Sequence, residues 1–266
     1  MNREAFVLCV VLTSVACLAA VSAQQTPAHD PGAWTIEYSV SGGIAFNVHA
    51  LRVTRAGELA ASDHRLGMDV TGRASPELLT KLGAFIQTAR DAKKTPPMPD
   101  AIGASLTVTV QGRRREVEPT PDISAALESA WNDAVRHALV GSWTQSGWKP
   151  CNPAEKMTSE SIDVPIDDLT FREGGTFELT WRGGGARTTG VPHVALPDFS
   201  GRYMVMPPLG SIQFTVPPPA PTPRDFAGDG SFQIAAGQLT LKRVWLGTRT
   251  APRRPDLCDL TFSRKQ

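Results

Sequence analysis

Hydrophobic and polar residues alternate along the first patterned part of the chain. Trp34, Ile36, Tyr38 and Val40 are separated by polar residues, and this is the period of a half-buried strand. The segment Ser41-Gly42-Gly43 interrupts the alternation, and three further strand patterns follow it before the first helical stretch. The folded part of the chain is therefore predicted to begin with four antiparallel strands.

Two later stretches change to helical spacing, in which apolar residues recur every three or four positions. The first begins at Ser75-Pro76-Glu77, where serine can cap the helix and proline presets its first residue, and it is predicted to run to about Arg90. The second begins around Thr120-Pro121-Asp122 and ends near Gly141, because glycine commonly takes a positive φ where a helix ends. Strand patterns lie between the two helices. Together these elements predict an α+β domain over residues 34–140.

After residue 140 the pattern changes to short strands separated by turn residues, with no convincing helix. Eight strands are predicted, and one face of them is consistently apolar. They are Trp143–Trp148, Leu169–Arg172, Thr176–Trp181, Gly201–Met206, Ser211–Val216, Ser231–Ala235, Gln238–Gly247 and Asp259–Ser263. About eight such strands suit a small closed barrel. We therefore predict an all-β barrel domain over residues 141–266.

Residues 1–23 have the pattern of a secretory signal. An apolar run extends from Phe6 to about Val21, and the small residues that follow suit cleavage after Ala23. The run is shorter than the roughly 20 clean apolar residues of a membrane span. The mature chain is therefore expected to be secreted or periplasmic, with no transmembrane span, and to begin with a flexible leader over 24–33. The pattern leaves open whether Cys17 carries a lipid.

Composition and charge exclude one class of partner. The chain is 41% hydrophobic, which is enough for two domains to bury a core, and its net charge is only +1. The basic clusters Arg113-Arg114-Arg115 and Arg253-Arg254 are local and are interpreted as solvated charge on a hairpin or loop. A nucleic-acid partner is therefore not expected.

Two cysteines remain if the signal is removed. Cys9 and Cys17 leave with it, whereas Cys151 and Cys258 stay in the mature chain. An oxidising compartment favours one disulfide between them. Barrel closure favours the same pairing, because Cys151 closely follows the first predicted strand and Cys258 precedes the last, and these two strands are antiparallel neighbours in an up-and-down barrel.

Residues for catalysis or metal binding do not converge in the sequence. The five histidines lack the spacing of metal ligands, and neither H-E-x-x-H nor G-x-S-x-G occurs. The segment Gly183-Gly184-Gly185 is not followed by the lysine and helix of a phosphate-binding loop. We therefore expect a non-enzymatic protein with no catalytic residues, no metal and no cofactor.

At Gly141-Ser142-Trp143 the second domain resembles the start of lipocalin-like barrels, in which a G-x-W sequence opens the first strand. Gly201-Arg202-Tyr203 and Leu239-Thr240-Leu241 add to a similarity with bacterial lipocalin-like domains of exported proteins. The resemblance implies that Trp143 plugs the closed end of the barrel. It also implies that a basic residue of the last strand, Arg264, lies against this tryptophan.

The apolar face of the barrel carries the candidate ligand-binding residues. An eight-stranded barrel is just wide enough either to be filled by side chains or to hold one small apolar ligand. The aromatic candidates are Phe177, Trp181, Tyr203, Phe214, Phe232 and Trp245. The sequence leaves both alternatives open, so the barrel is predicted either to bind a small apolar molecule or to act as a filled structural module for envelope interactions.

The first domain resembles, more loosely, the small emfourin-type domain that inhibits thermolysin-like metalloproteases. The likeness lies in the order of strands and helices and in the turn Gly42-Gly43-Ile44 after the first strand. It implies an inhibitory edge at these three residues and a secreted protease as the partner. Family members often carry phenylalanine after the paired glycines, where this chain has Ile44. The paired glycines are also what a turn or a β-bulge requires.

Overall fold

The computed structural model of the chain describes residues 32–41, 49–93, 103–149, 166–182, 198–220, 226–246 and 259–265. The predicted signal, most of the leader, both mature cysteines and the Gly42-Gly43-Ile44 turn lie outside the described residues. Within the described part, no helix is long and apolar enough to cross a membrane.

The first half of the chain forms an open six-stranded sheet with two helices, which confirms the predicted α+β fold. The strands are β1 (Trp34–Ser41), β2 (His49–Thr54), β3 (Glu58–Asp63), β4 (Met68–Arg73), β5 (Gly103–Val110) and β6 (Arg113–Val117). Their order in the sheet is β4-β3-β2-β1-β5-β6. Every pair is antiparallel, so β4 and β6 are the two edges.

The helices α1 (Pro76–Thr88) and α2 (Pro121–Leu139) begin where the capping residues predict. The Ser75 hydroxyl accepts a hydrogen bond from the Leu78 amide at 3.2 Å, which satisfies a backbone donor that the first turn leaves unpaired. α1 ends two residues before the predicted Arg90. The α2 helix buries one stripe against the sheet, and its largest member, Trp131, donates its indole N–H to the Ser62 carbonyl at 3.2 Å.

The second half closes into an eight-stranded antiparallel barrel, as predicted. Its strands are β7 (Gly141–Lys149), β8 (Ile166–Arg172), β9 (Thr176–Trp181), β10 (Phe199–Met206), β11 (Ser211–Thr215), β12 (Asp229–Ala235), β13 (Gln238–Lys242) and β14 (Asp259–Arg264). The last strand pairs with the first, since Arg264 lies opposite Trp143 and Asp259 lies opposite Lys149. The seventh predicted strand was too long: it ends at Lys242, because Arg243 takes a φ of 62°.

The connections of the barrel divide by length between its two ends. The three that lie at the end where β7 starts, which we call the closed end, are tight turns, and one of them contains the short 3-10 helix Pro207–Leu209. The four connections at the opposite end span 13 to 17 residues each. Only Val140 separates α2 from β7, so the helix runs directly into the closed end.

The first sheet packs against the outside of the barrel near the same end. Edge strand β4 contacts β12, and a Cβ placed at Gly67 would lie 3.0 Å from the Gln233 amide nitrogen. Nearby, the Arg65 guanidinium donates to the Pro208 carbonyl at 3.3 Å, and Leu66 packs over Gly210. The two halves therefore meet through β4 and α2 on one side and the closed end of the barrel on the other.

Candidate binding site

The six aromatic residues proposed to line a ligand cavity are packed together or buried in the barrel. Five of them are 0–6% exposed, whereas Tyr203 is half-buried. The Phe177 ring lies 5.1 Å from that of Phe214 and 5.9 Å from that of Phe199, edge to face in both cases. Such pairs are favourable aromatic contacts. The rings therefore fill the described interior at the level of Phe177.

Glycine at position 201 makes room for this packing. Gly201 lies directly opposite Phe177 in the β9–β10 ladder, and a Cβ there would approach the Phe177 ring to 2.8 Å and clash with the Thr215 carbonyl. Next along β10, the Tyr203 ring contacts Phe171 edge to face at 4.8 Å and its hydroxyl donates to the Arg172 carbonyl at 3.1 Å. Burial, helped by the charge of Glu173, raises the pKa of Tyr203.

Trp143 and Arg264 lie in contact at the closed end of the barrel. Trp143 is fully buried and donates its indole N–H to the Leu139 carbonyl at 2.8 Å. The Arg264 guanidinium carbon lies 5.3 Å from the centre of the Trp143 ring, within cation–π range, and one of its nitrogens donates to the Val140 carbonyl. The pair thus ties the first and last barrel strands to the end of α2.

A groove of about 850 Å³ runs between the two halves of the molecule. One wall is the β4 edge with the start of α1, another is α2, and the closed end of the barrel completes it with Trp143, Ile234 and Arg264. We call this the interdomain groove.

Alanines form the α2 wall of the interdomain groove. Ala126, Ala130, Ala134 and Ala138 all line it, and their spacing of four places them on one face of the helix. Leu59, Val70 and Leu78 add larger apolar groups. The lining is therefore mainly apolar, and the small α2 side chains leave the space that larger residues would fill.

Charges on the rim of the interdomain groove balance. Three basic and three acidic residues line it, besides His137. They are Arg73, Lys81 and Arg264, and Asp69, Glu77 and Asp133. A hydrogen bond from its own backbone amide, with a smaller one from Ser75, lowers the pKa of Glu77, so that carboxylate stays charged at neutral pH. The rim does not select strongly for either sign of charge.

The groove does not assemble a catalytic relay, although Ser129, Asp133 and His137 follow one another at helical spacing. The Ser129 hydroxyl donates weakly to the Asp133 carboxylate at 3.4 Å, and the His137 Nδ1 lies 2.8 Å from the Asp133 backbone carbonyl. A relay needs the imidazole to accept the proton of the nucleophile. In this arrangement the imidazole and the hydroxyl each contact the aspartate and not one another.

A second polar cluster joins the sheet to α2. Tyr38 donates its hydroxyl proton to Glu128 Oε1 at 2.9 Å, and His49 Nε2 lies 3.0 Å from the same oxygen and 4.9 Å, ring to ring, from Trp131. Burial acts to raise the pKa of Glu128, but hydrogen bonds from His49 and Tyr38 outweigh it and lower the pKa. Burial and the bond to Glu128 raise the pKa of Tyr38 to about 12.

This raised pKa predicts an alkaline loss of stability. Because folding favours the neutral phenol, the stability that Tyr38 contributes is complete below its ordinary pKa of 10.0 and is lost as pH rises through about 12. The chain has two tyrosines, so ultraviolet titration of a Tyr203→Phe variant follows Tyr38 alone. We expect ionisation near pH 12, and a lower pKa when Glu128→Gln is added. Ionisation near pH 10 in the folded protein would contradict this placement of Tyr38.

The remaining predicted site residues lie outside the described part of the chain. These are Gly42, Gly43 and Ile44 of the inhibitory edge and Cys151 and Cys258 of the disulfide. Among the described residues, no group of three or more histidine, cysteine or acidic side chains could hold a metal ion.

Sequence patterns did not identify the interdomain groove, because its walls come from five separated parts of the chain. The one local signal is the alanine series on α2, which is visible in the sequence but is equally typical of a helix packed closely against a neighbour. The alanine face of α2 is left partly open because of the way β4 docks on the barrel, which the sequence pattern does not reveal.

No protein-family model matches this chain, and no similar curated protein or solved structure is found. The resemblances of its two halves to lipocalin-like and emfourin-type domains therefore rest on sequence patterns. Function has to be inferred from the residues of this chain.

Proposed function

We propose that this chain is an exported, non-enzymatic binding protein that holds a small apolar molecule in the interdomain groove. The barrel then serves as a filled scaffold and not as the container of the ligand. The single observation that carries the proposal is the groove itself: about 850 Å³ of open space beside a row of alanines. By contrast, aromatic rings in mutual contact occupy the described barrel interior at the level of Phe177.

The size and lining of the groove support a small apolar ligand. Pockets for small molecules usually measure about 300–1,000 Å³ and are mostly apolar with a few polar groups. From Ala126 to Ala138 the helix rises about 18 Å, so an elongated molecule could lie along the alanines. The balanced rim charges favour an uncharged ligand over an anionic or a cationic one.

Variants that fill the groove test this proposal. Ala130→Phe and Ala134→Phe place a large ring on the groove face of α2, whereas Ala125→Phe places the same ring on an exposed position of the helix. Binding of N-phenylnaphthylamine, an uncharged apolar probe, is measured by fluorescence. We expect Ala134→Phe to weaken binding at least about tenfold and Ala125→Phe to leave it unchanged.

Two further measurements make the result decisive. Native mass spectrometry of the purified chain shows whether a small molecule co-purifies and is lost from Ala134→Phe, and thermal unfolding shows that the variants remain folded. Equal probe binding by all three variants would place the site elsewhere, including in the barrel, and would refute the proposal.

The packed rings around Phe177 also support a second function, in which the domain contacts the cell envelope through its outer surface. A barrel without interior space can still present side chains on its outside. The exposed apolar residues of β10 and the turn after it support this alternative.

A further inference from the structure

Three large apolar side chains lie exposed on β10 and the turn directly after it, at the surface of the barrel. Met204 is 54% exposed, Met206 46% and Leu209 64%, and every other large hydrophobic side chain in the described part of the chain is buried or partly buried. We call these three residues the methionine patch. Large exposed apolar groups that cluster on a soluble surface usually mark an interaction site.

The methionine patch stands on a rigid platform. Along β10, Tyr203 and Val205 turn into the barrel, so the alternate residues Met204 and Met206 face outward. Met206 begins the tight turn whose 3-10 helix carries Leu209. The backbone of the patch is therefore fixed by the barrel, while the methionine side chains can adapt to an irregular apolar surface.

An arginine lies at each end of the methionine patch. Arg202 is two residues before Met204 on the same face of β10, and the Arg65 guanidinium contacts the Pro208 carbonyl beside Leu209. Neither arginine forms an ion pair with a carboxylate of the described residues. Of the acids near the patch, Asp229 accepts a hydrogen bond from Gln213 at 2.8 Å and Glu178 pairs with Arg172 at 2.8 Å, whereas Glu173 lies exposed near Met204.

We propose that the methionine patch docks this protein onto an anionic phospholipid surface. Apolar side chains at the centre can enter the boundary between headgroups and acyl chains, while the two arginines meet phosphates at headgroup level. Three partly exposed side chains offer far less area than the roughly 800 Å² per partner of a stable protein interface. Charge complementarity at both ends favours an anionic lipid surface over a neutral one.

Sedimentation with vesicles tests the docking surface on the full chain. Vesicles of equal parts phosphatidylcholine and phosphatidylglycerol are compared with vesicles of phosphatidylcholine alone. We expect binding to the anionic vesicles that weakens with salt, and at least about fivefold weaker binding to the neutral ones. Each of Met204→Ser, Met206→Ser and Leu209→Ser should weaken binding about fivefold. The effect is moderate because these side chains are already partly buried in the free protein, so inserting them into the membrane buries only their exposed apolar surface.

Matched variants separate the patch from other effects. Met204→Leu keeps an apolar side chain and should retain binding. Arg202→Gln and Arg65→Gln should each weaken binding about fivefold, whereas Arg52→Gln, an equal change of charge on the exposed face of the first sheet, should not. All variants share the same N-terminal residues, so any difference between them reports the patch. Equal binding by Met204→Ser and wild type, loss with Arg52→Gln, or no binding to either vesicle overturns the proposal.

Discussion

Replacing Phe177 with alanine should lower the free energy of unfolding by about 3–5 kcal/mol. The side chain is fully buried and its ring contacts two other phenylalanines in the barrel interior. Its removal loses both the apolar burial and the contacts of the neighbouring rings, and leaves a cavity. The total free energy of unfolding of a small domain is only about 5–15 kcal/mol. The variant barrel should therefore unfold at a clearly lower urea concentration than the wild type.

Phe226→Ala is the matched control, because it deletes the same side chain from a half-buried position. The centre of the Phe226 ring lies 6.1 Å from that of Phe199. Removing the Phe226 side chain should lower the free energy of unfolding by less than removing that of Phe177. This comparison also distinguishes a filled barrel from a ligand cavity. If Phe177→Ala costs no more than Phe226→Ala, the ring does not pack tightly and the interior is not the scaffold described above.

A disulfide between Cys151 and Cys258 should contribute about 4–5 kcal/mol to the free energy of unfolding. Lys149 of β7 lies directly opposite Asp259 of β14. Cys151 comes shortly after Lys149 in the sequence and Cys258 directly precedes Asp259, so each cysteine is close in sequence to one member of this pair. Such a bond would close a loop of about a hundred residues, and constraining so long a loop removes much entropy from the unfolded chain.

Mass spectrometry of the alkylated, unreduced protein checks the bond, and unfolding in denaturant measures its effect. Cys151→Ser and Cys258→Ser should each destabilise the barrel, and the double variant should be no worse than either single one. Reductant should lower the stability of the wild type and leave the double variant unchanged. Alkylation of both thiols in the folded, unreduced protein would rule the pairing out.

Local patterns predicted most elements of this fold because side-chain burial and helix capping determine them within short stretches of sequence. Alternation fixed the inner face of β9, where Phe177, Leu179 and Trp181 are all buried, and the serine cap placed the start of α1. The end of β13 could not be predicted, since the apolar residues Val244 and Leu246 prolong the apolar run, out of phase with Leu239 and Leu241, while the backbone turns at Arg243. Val244 and Leu246 are buried beyond the end of the strand.

The candidate binding site could be predicted only in part from local sequence patterns. The aromatic positions indicated the barrel interior, but only ring-to-ring distances distinguish a filled core from a lined cavity. The interdomain groove depends on how β4 meets the barrel, and that contact joins residues more than 150 positions apart, such as Gly67 and Gln233. Pairing over such separations leaves no periodic signal in either segment.

The pairing of β14 with β7 also determines when the barrel can close during synthesis of the chain. Synthesis proceeds from the N-terminus, so the first sheet and both helices are complete before β7 exists. The barrel cannot close until the six residues of β14, the last of its strands in sequence order, have been synthesised and can pair with β7. Until that moment it is an open sheet whose unpaired edges can join other chains. A ribosome that stops shortly before residue 259 would therefore release a finished first domain attached to an aggregation-prone second one.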